Sequence, residues 1–306
     1  MEIKSVLRVT ISKCRQVWRV KEIKKTSPII TKNRIKNDLV KLGLKKGDCV
    51  LLHSSLKSIG YVKGGANTVI NALIDVVSSE GTLIMPAYSM KGTMLETCNT
   101  EDYIFDPRRS TTQLGSIPAT FLKFKNIHRS IHPTHSVSAF GKDAEHITEA
   151  HHLASSTYGV DSPWDRLMKL DGKIIGLGVT VWPVPLCHVL EDRELNHFPL
   201  PVRMENTYNL KCKDWDGNII EVPVTPLSPE YFKVRIDQRD RQDLRDYFWL
   251  DFIQSGTIKV GKVGQAVSWI SSARNFYKNL EKLMKEGITI YSSAAELKKR
   301  RLSDKY

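Results

Sequence analysis

The chain has 306 residues, 41% of them hydrophobic and 26% charged, which is ordinary for a folded globular protein of one large domain or two small ones. No stretch approaches the ~18 consecutive apolar residues of a membrane-spanning helix. The formal net charge of +13 gathers toward the ends, from Lys4 to Lys25 and again at Lys298-Lys299-Arg300-Arg301. Charge placed there reads as solvated tails, so no nucleic-acid partner is expected, while peripheral membrane contact through the basic arm stays open.

Residues 1–27 read as a basic N-terminal arm without the apolar run of a secretory signal, so the cytoplasm is the expected location. A helix is predicted to start after Thr31, a good N-cap, to bury Ile35, Leu39 and Leu42, and to end at Gly43. Lys46-Gly47-Asp48 then turns the chain into a strand at 49–53. A loop leads to a second helix from Asn67, and Gly81 opens another strand at 82–86. Strand–loop–helix–strand order predicts an α/β fold with a mainly parallel central sheet flanked by helices.

Further on, GSIPATFLKF reads as a short helix, THSVSAFG as a strand and KIIGLGV, at 173–179, as a buried strand. An antiparallel hairpin is predicted at 207–224 around Trp215-Asp216-Gly217. The last third reads as helical, with its longest run near 264–285, and residues 296–306 as a basic tail. One domain over 28–295 is the economical division. The five cysteines are scattered and contain no CxxC pair; Cys49 and Cys212 lie in apolar alternating runs and read as core. His151-His152 falls in a polar run and reads as solvated.

His53-Ser54-Ser55 ends a predicted buried strand, the place where α/β sheets put their ligand crevices. The loop that follows passes Gly64-Gly65 into a helix, whose N–H groups and dipole suit a pyrophosphate. Alone, a double glycine before a helix is more often just a turn. The surrounding blocks are more specific: LGLKKGD, HSSLKSIG, the glycine pair, EGTLIMP, Phe105-Asp106-Pro107, SIHPTHSV, Asp161-Ser162-Pro163, LGV at 177–179 and GTIKVGKVGQA. In this order, over roughly residues 30–285, they resemble the aminoglycoside 3-N-acetyltransferase family.

The resemblance implies an acetyl-coenzyme A co-substrate, an amine acceptor on an amino sugar or aminoglycoside, and no metal. It implies a donor site at His53, Ser54, Ser55, Leu56, Ser58, Gly60, Gly64 and Gly65, with Ser136 and His135 near the thioester end. Transfer to an amine needs a neutral nitrogen, hence a general base. His188 and Glu191 stand i, i+3 in PLCHVLEDREL and would share a helix face; a solvated face is the bland alternative, and the family's HxxE points instead to a base with its carboxylate. By the same resemblance Asp161 and Asp165 flank the acceptor, and Asp192 offers a further carboxylate.

The family usually places small polar residues before this histidine, where this chain has Val181-Trp182-Pro183-Val184-Pro185-Leu186. That stretch should border the acceptor. With the basic composition it fits an anionic acceptor too, such as a nucleotide- or lipid-linked amino sugar of surface-polysaccharide synthesis. A metal-dependent hydrolase is a lesser alternative, since nine histidines form no HExxH spacing. A homo-oligomer stays open.

Overall fold

The computed structural model describes residues 28–303, with side chains to 298. The basic arm at 1–27, with Cys14, and residues 304–306 lie outside what is described, as do the side chains of Lys299-Arg300-Arg301. Thr31 caps α1 (Lys32–Leu42) by accepting from the Arg34 N–H, and Gly43 closes it. There follow β1 (Cys49–Ser54), α2 (Leu56–Ile59), α3 (Gly65–Val77), β2 (Thr82–Pro86), α4 (Met94–Cys98), β3 (Ile104–Phe105), α5 (Ser116–Phe121), β4 (His128–Arg129), β5 (Val137–Gly141), α6 (Ala144–Thr148), α7 (Pro163–Lys169) and β6 (Lys173–Leu177). The second half holds α8 (Leu186–Arg193), β7 (Tyr208–Lys213), β8 (Ile219–Val224), α9 (Pro229–Val234), α10 (Gln242–Gln254), β9 (Lys259–Val263), β10 (Ala266–Ser272), α11 (Ala273–Lys285) and α12 (Ala294–Ser303).

The strands form a seven-stranded sheet in the order β4-β5-β2-β1-β6-β10-β9, and a small sheet β3-β7-β8. The α/β architecture is the expected one. Its parallel part is the central trio, with β1 parallel to both β2 and β6, while β5, β4, β10 and β9 continue it antiparallel. The expected hairpin is the β7–β8 pair, turning at Asp214 and Gly217.

Because successive strand residues face opposite ways, the sheet divides two cores. Leu51, Ile84 and Ile174 face one, shared with α7, α8, α10 and α11. Val50, Leu52, Leu83, Met85, Ile175 and Leu177 face the other, covered by α1, α3 and α5. Cys49 and Cys212 are buried, as read, and burial raises both thiols to about 12.

Several of the ordered sequence blocks turn out to hold this frame. Asp48 accepts from the Lys45 N–H at 2.6 Å and pairs with Lys173 Nζ at 2.6 Å, tying the start of β1 to the start of β6. Arg129 is buried against the Phe105 ring and donates to the carbonyls of Ala87, Pro107 and Ser110, locking the Phe-Asp-Pro block to the end of β2.

Three expectations are corrected. The helical run at 264–285 is half strand: β10 fills Ala266–Ser272 and only α11 is helix, because VSWISS is β-branched and aromatic and joins the sheet. His151 is not solvated but buried, its Nδ1 bonded to Ser130 Oγ and its Nε2 to the Thr157 carbonyl, both at 3.0 Å. Residues after 296 begin inside α12, whose Leu297 packs into the larger core.

Candidate active site

The three parallel strands deliver their C-terminal ends to one side of the sheet, where β1 runs into His53-Ser54-Ser55, β2 into Ala87-Tyr88 and β6 into Gly178-Val179-Thr180. Two hollows open there. A groove of ≈ 290 Å³ is lined by Ser58, Gly178, Val179, Thr180, Trp249 and Gln265 among others. A larger cavity of ≈ 660 Å³ is lined by Tyr88, His135, Tyr158, Trp182, Cys187, His188, Arg203, Lys233 and Arg235 within a mostly apolar wall. The segment 180–182 joins the two, Thr180 on the groove and Trp182 on the cavity.

At the end of β1, His53 Nε2 and Ser54 Oγ, and on the groove Thr180 Oγ1, are enclosed and have no hydrogen-bond partner among the described residues. Enclosed polar atoms of this kind cost free energy unless a ligand or water meets them, so they fit a polar guest. Burial pushes the His53 imidazolium down to about 4, which leaves a neutral ring. Ser58 donates to Ser55 Oγ at 2.9 Å on the single turn of α2, and Leu56 leans on the adjacent core. Gly60 is backed by Gln265. Gly64 (φ 84°) and Gly65 (φ 60°) are left-handed residues that turn the chain into α3, whose first turn carries no carboxylate. The space over Gly65 is open, so its glycine is required by backbone conformation rather than by crowding.

In the cavity, α8 brings His188 and Glu191 together as their spacing predicts. His188 Nδ1 stands 2.9 Å from Glu191 Oε2, and Tyr291 donates its hydroxyl to Glu191 Oε1 at 2.7 Å. Arg203 lies 3.4 Å from Glu191 Oε2 and 2.7 Å from Asp192 Oδ1. Burial alone would lower the His188 pKa, but the neighbouring Cys187 side chain and the Glu191 carboxylate outweigh it and lift the ring to about 10. Burial would likewise raise the Glu191 carboxyl, yet the His188 and Arg203 cations hold it below the ordinary range. The fully enclosed carboxylate orients the ring through Nδ1, so that the base form of the ring, once its proton is given up, carries its lone pair on Nε2.

His135 also faces the cavity, its ring packed edge-on against Tyr88 at 4.4 Å and tilted against Tyr158 at 5.1 Å. Burial, with His188 and Arg203 nearby, keeps it neutral. His132 Nδ1 accepts the backbone N–H groups of Thr134 and His135, so the Thr134 hydroxyl is available to donate to His135 Nδ1 at 2.9 Å; in that tautomer His135 carries its proton on Nε2.

The structure does not bring the remaining candidates into the cavity. Ser136 is fully buried on the far side of its strand, donating to the Ala87 carbonyl at 2.7 Å and accepting from Arg129. Asp161 is exposed and paired with Lys169. Asp165 is buried between Arg193 and Lys169, each at 2.9 Å. Asp192 lies behind the wall, accepting from Ser156 Oγ, the Tyr158 N–H and Arg203 Nε, so it steadies Arg203 and Tyr158. Asp165 and Asp192 point back into the frame, and Asp161 faces solvent.

Other residues escaped the sequence reading. Tyr88, in MPAYS, presents a hydroxyl that is enclosed and without a hydrogen-bond partner among the described residues, and burial holds it protonated. Lys233, Arg235 and Asp237 come from α9 and its exit, a segment without any recognisable pattern. Only the expected aromatic-proline stretch, Trp182 to Pro185, could be placed here from the sequence, and it does line the cavity. No group of three His, Cys, Asp or Glu among the described residues stands close enough to hold a metal ion, and no described helix is long and apolar enough to cross a membrane.

A sequence profile described as aminoglycoside 3-N-acetyltransferase matches residues 51–285. Aminoglycoside N(3)-acetyltransferase IX of Micromonospora chalcea is 33% identical over 174 residues, which cover 53% of this chain and 62% of that protein. The SPbeta prophage-derived aminoglycoside N(3')-acetyltransferase-like protein YokD of Bacillus subtilis is 36% identical over 180 residues, 53% of this chain and 65% of its own length. The chain thus spans less than two thirds of these two relatives. The crystal structure of aminoglycoside acetyltransferase AAC(3)-Xa superposes with a TM-score of 0.72 at 26% identity, covering 88% of this chain and 98% of that one.

Proposed function

Since this chain belongs to the aminoglycoside 3-N-acetyltransferase family, we propose that it moves the acetyl group of acetyl-coenzyme A directly to a primary amine of an amino sugar, with His188 as general base. The observation that carries this reading is the His188–Glu191–Tyr291 chain set in the wall of a cavity of ≈ 660 Å³.

The amine must lose a proton to expose its lone pair. His188 Nε2 takes that proton. Glu191 holds the ring by Nδ1 and stabilises the imidazolium that results, while Tyr291 and Arg203 fix the carboxylate. Negative charge develops on the acetyl oxygen, and the enclosed hydroxyl of Tyr88 and the Nε2–H of neutral His135 are the donors that meet it. His188 then holds a proton for the departing sulfur. The coenzyme supplies the activated acetyl thioester; the residues that would hold it are Ser58 and Thr180 on the groove, His53 and Ser54 at the end of β1 and Gly64-Gly65 at the start of α3. A coenzyme-dependent enzyme of this kind belongs in the cytoplasm.

The test is release of free thiol from acetyl-coenzyme A on mixing the full chain with a panel of amino sugars, followed by mass spectrometry of the acceptor. Acetylated amine with matching thiol supports the reading. Thiol released without acetylated acceptor, or no thiol with any amine, overturns it.

A further inference from the structure

We propose that the acceptor is an amino sugar carrying a phosphate, held by Lys233 and Arg235 at the rim of the larger cavity. The inference rests on the transfer reading above and names the substrate class of the same site.

The charge of the lining residues carries it. Aminoglycosides are polycations, and a site for one needs carboxylates free to meet several ammonium groups. Two carboxylates among the described residues line the cavity, Asp237 paired with an arginine and Glu96 held in a helix cap. Asp237 takes two bonds from Arg235, at 2.7 and 2.6 Å. Glu96 accepts the Thr93 N–H at 2.6 Å as part of the α4 capping box. Glu191 is held by His188 and Tyr291, and Asp192 by Arg203.

The cations differ. Lys233 is exposed at the rim, and no carboxylate lies within ion-pair distance of it among the described residues. Arg235 spends only Nε and Nη2 on Asp237, which fixes its plane and leaves the Nη1 edge of the fork for a ligand. A carboxylate would be satisfied by one fork. A second cation two residues away suits the doubly charged phosphate, which takes bidentate bonds from Arg and a point charge from Lys. Met90, Met94, Leu114, Trp182, Leu227 and Phe232 make the apolar part of the wall, which can stack on a sugar face or a base, and Glu96 is left as a single carboxylate to meet the several ammonium groups of a polyamine. The volume falls within the ~300–1,000 Å³ usual for drug-sized ligands, so more than one ring can enter.

Calorimetry on the full chain saturated with coenzyme A, which permits binding without transfer, tests this directly. The probes are one amino sugar as its uridine diphosphate conjugate, as its polyprenyl diphosphate conjugate in detergent micelles, and as its methyl glycoside, together with gentamicin. At least one phosphate conjugate should bind about tenfold or more tightly than the methyl glycoside and than gentamicin. Lys233→Glu should erase that advantage and Lys233→Gln should reduce it. The tighter of the two conjugates identifies nucleotide or lipid as the source. Equal or tighter binding of the methyl glycoside or gentamicin overturns the proposal, as does an advantage that survives Lys233→Glu. Thiol release measured on the same panel decides the transfer reading separately: with no release from any acceptor that reading falls, while the order of affinities still judges the phosphate site.

Discussion

The two proposed ends of the site differ in how much of each a single stretch of chain supplies. The end proposed for the donor centres on residues 53–65 after β1, with the groove beside Ser58 completed by residues 178–180, Trp249 and residues 265–267. Its parts are backbone turns, serine hydroxyls and a helix start, which depend on where the chain runs. The end proposed for the acceptor is assembled from eight separated segments, at 88–96, Leu114, His135, Tyr158, 182–188, Arg203, 227–237 and Ile290. Its character is set by side chains on loops and short helices that can change without moving the sheet.

The sharpest way to break this division is His188→Ala. Removing the base should cut turnover by about 10³-fold while coenzyme A still binds with its affinity little changed, because no donor-end residue touches the ring. Thiol-release rates and calorimetric titration with coenzyme A measure the two effects. A matching loss of coenzyme affinity would mean that the ends are not separate.

Glu191→Gln should cost about 10–100-fold, and its pH dependence carries the information. With His188 raised to about 10, the free base grows as pH rises, so kcat/KM should climb on the alkaline side. Without the carboxylate the midpoint of that climb should move down toward the ordinary 6.5. Stability follows the same linkage. A raised imidazolium contributes fully below its unfolded value of 6.5 and loses that contribution as pH rises through about 10; the depressed Glu191 contributes above 4.5 and is lost as pH falls. Melting temperature against pH for both proteins checks this: the wild type should lose more stability than Glu191→Gln on going from neutral pH to above 10.

Tyr88→Phe removes one hydroxyl and almost no volume. If that hydroxyl meets charge developing in the transition state, kcat should fall about tenfold with little change in either KM. An unchanged kcat would assign Tyr88 to the wall alone.

The same division explains what the sequence could reveal. The frame of β1, α3, β2 and β6 was readable because apolar runs, Thr31, Gly43 and Gly81 punctuate it. The His188–Glu191 pair was readable because helical spacing alone brings i and i+3 together. Long-range partners left no local trace: Tyr291 reaches Glu191 from a hundred residues away. Ser136 and Asp165 had the right type in the right block, but strand alternation turned Ser136 inward and two cations claimed Asp165. β10 was misread because a strand of seven residues runs straight into a strongly amphipathic helix, and the helical period masked the boundary.

The mildest effect should come from Gly178→Ala, and it bears on the donor end by itself. Gly178 ends β6 with φ 69°, and a Cβ there would run into Ser58 Cβ across the groove. The strained backbone costs about 1–3 kcal/mol, and the methyl group pushes α2 away from its place beside Thr180. Neither disturbance reaches Glu191, whose partners come from α8, Arg203 and Tyr291. The expected result is a KM for acetyl-coenzyme A raised about threefold to tenfold, with the acceptor KM and the pH midpoint kept. Steady-state kinetics with each substrate varied in turn would show it. A rise confined to the acceptor KM would place the groove at the other end of the reaction and reverse the assignment of the two hollows.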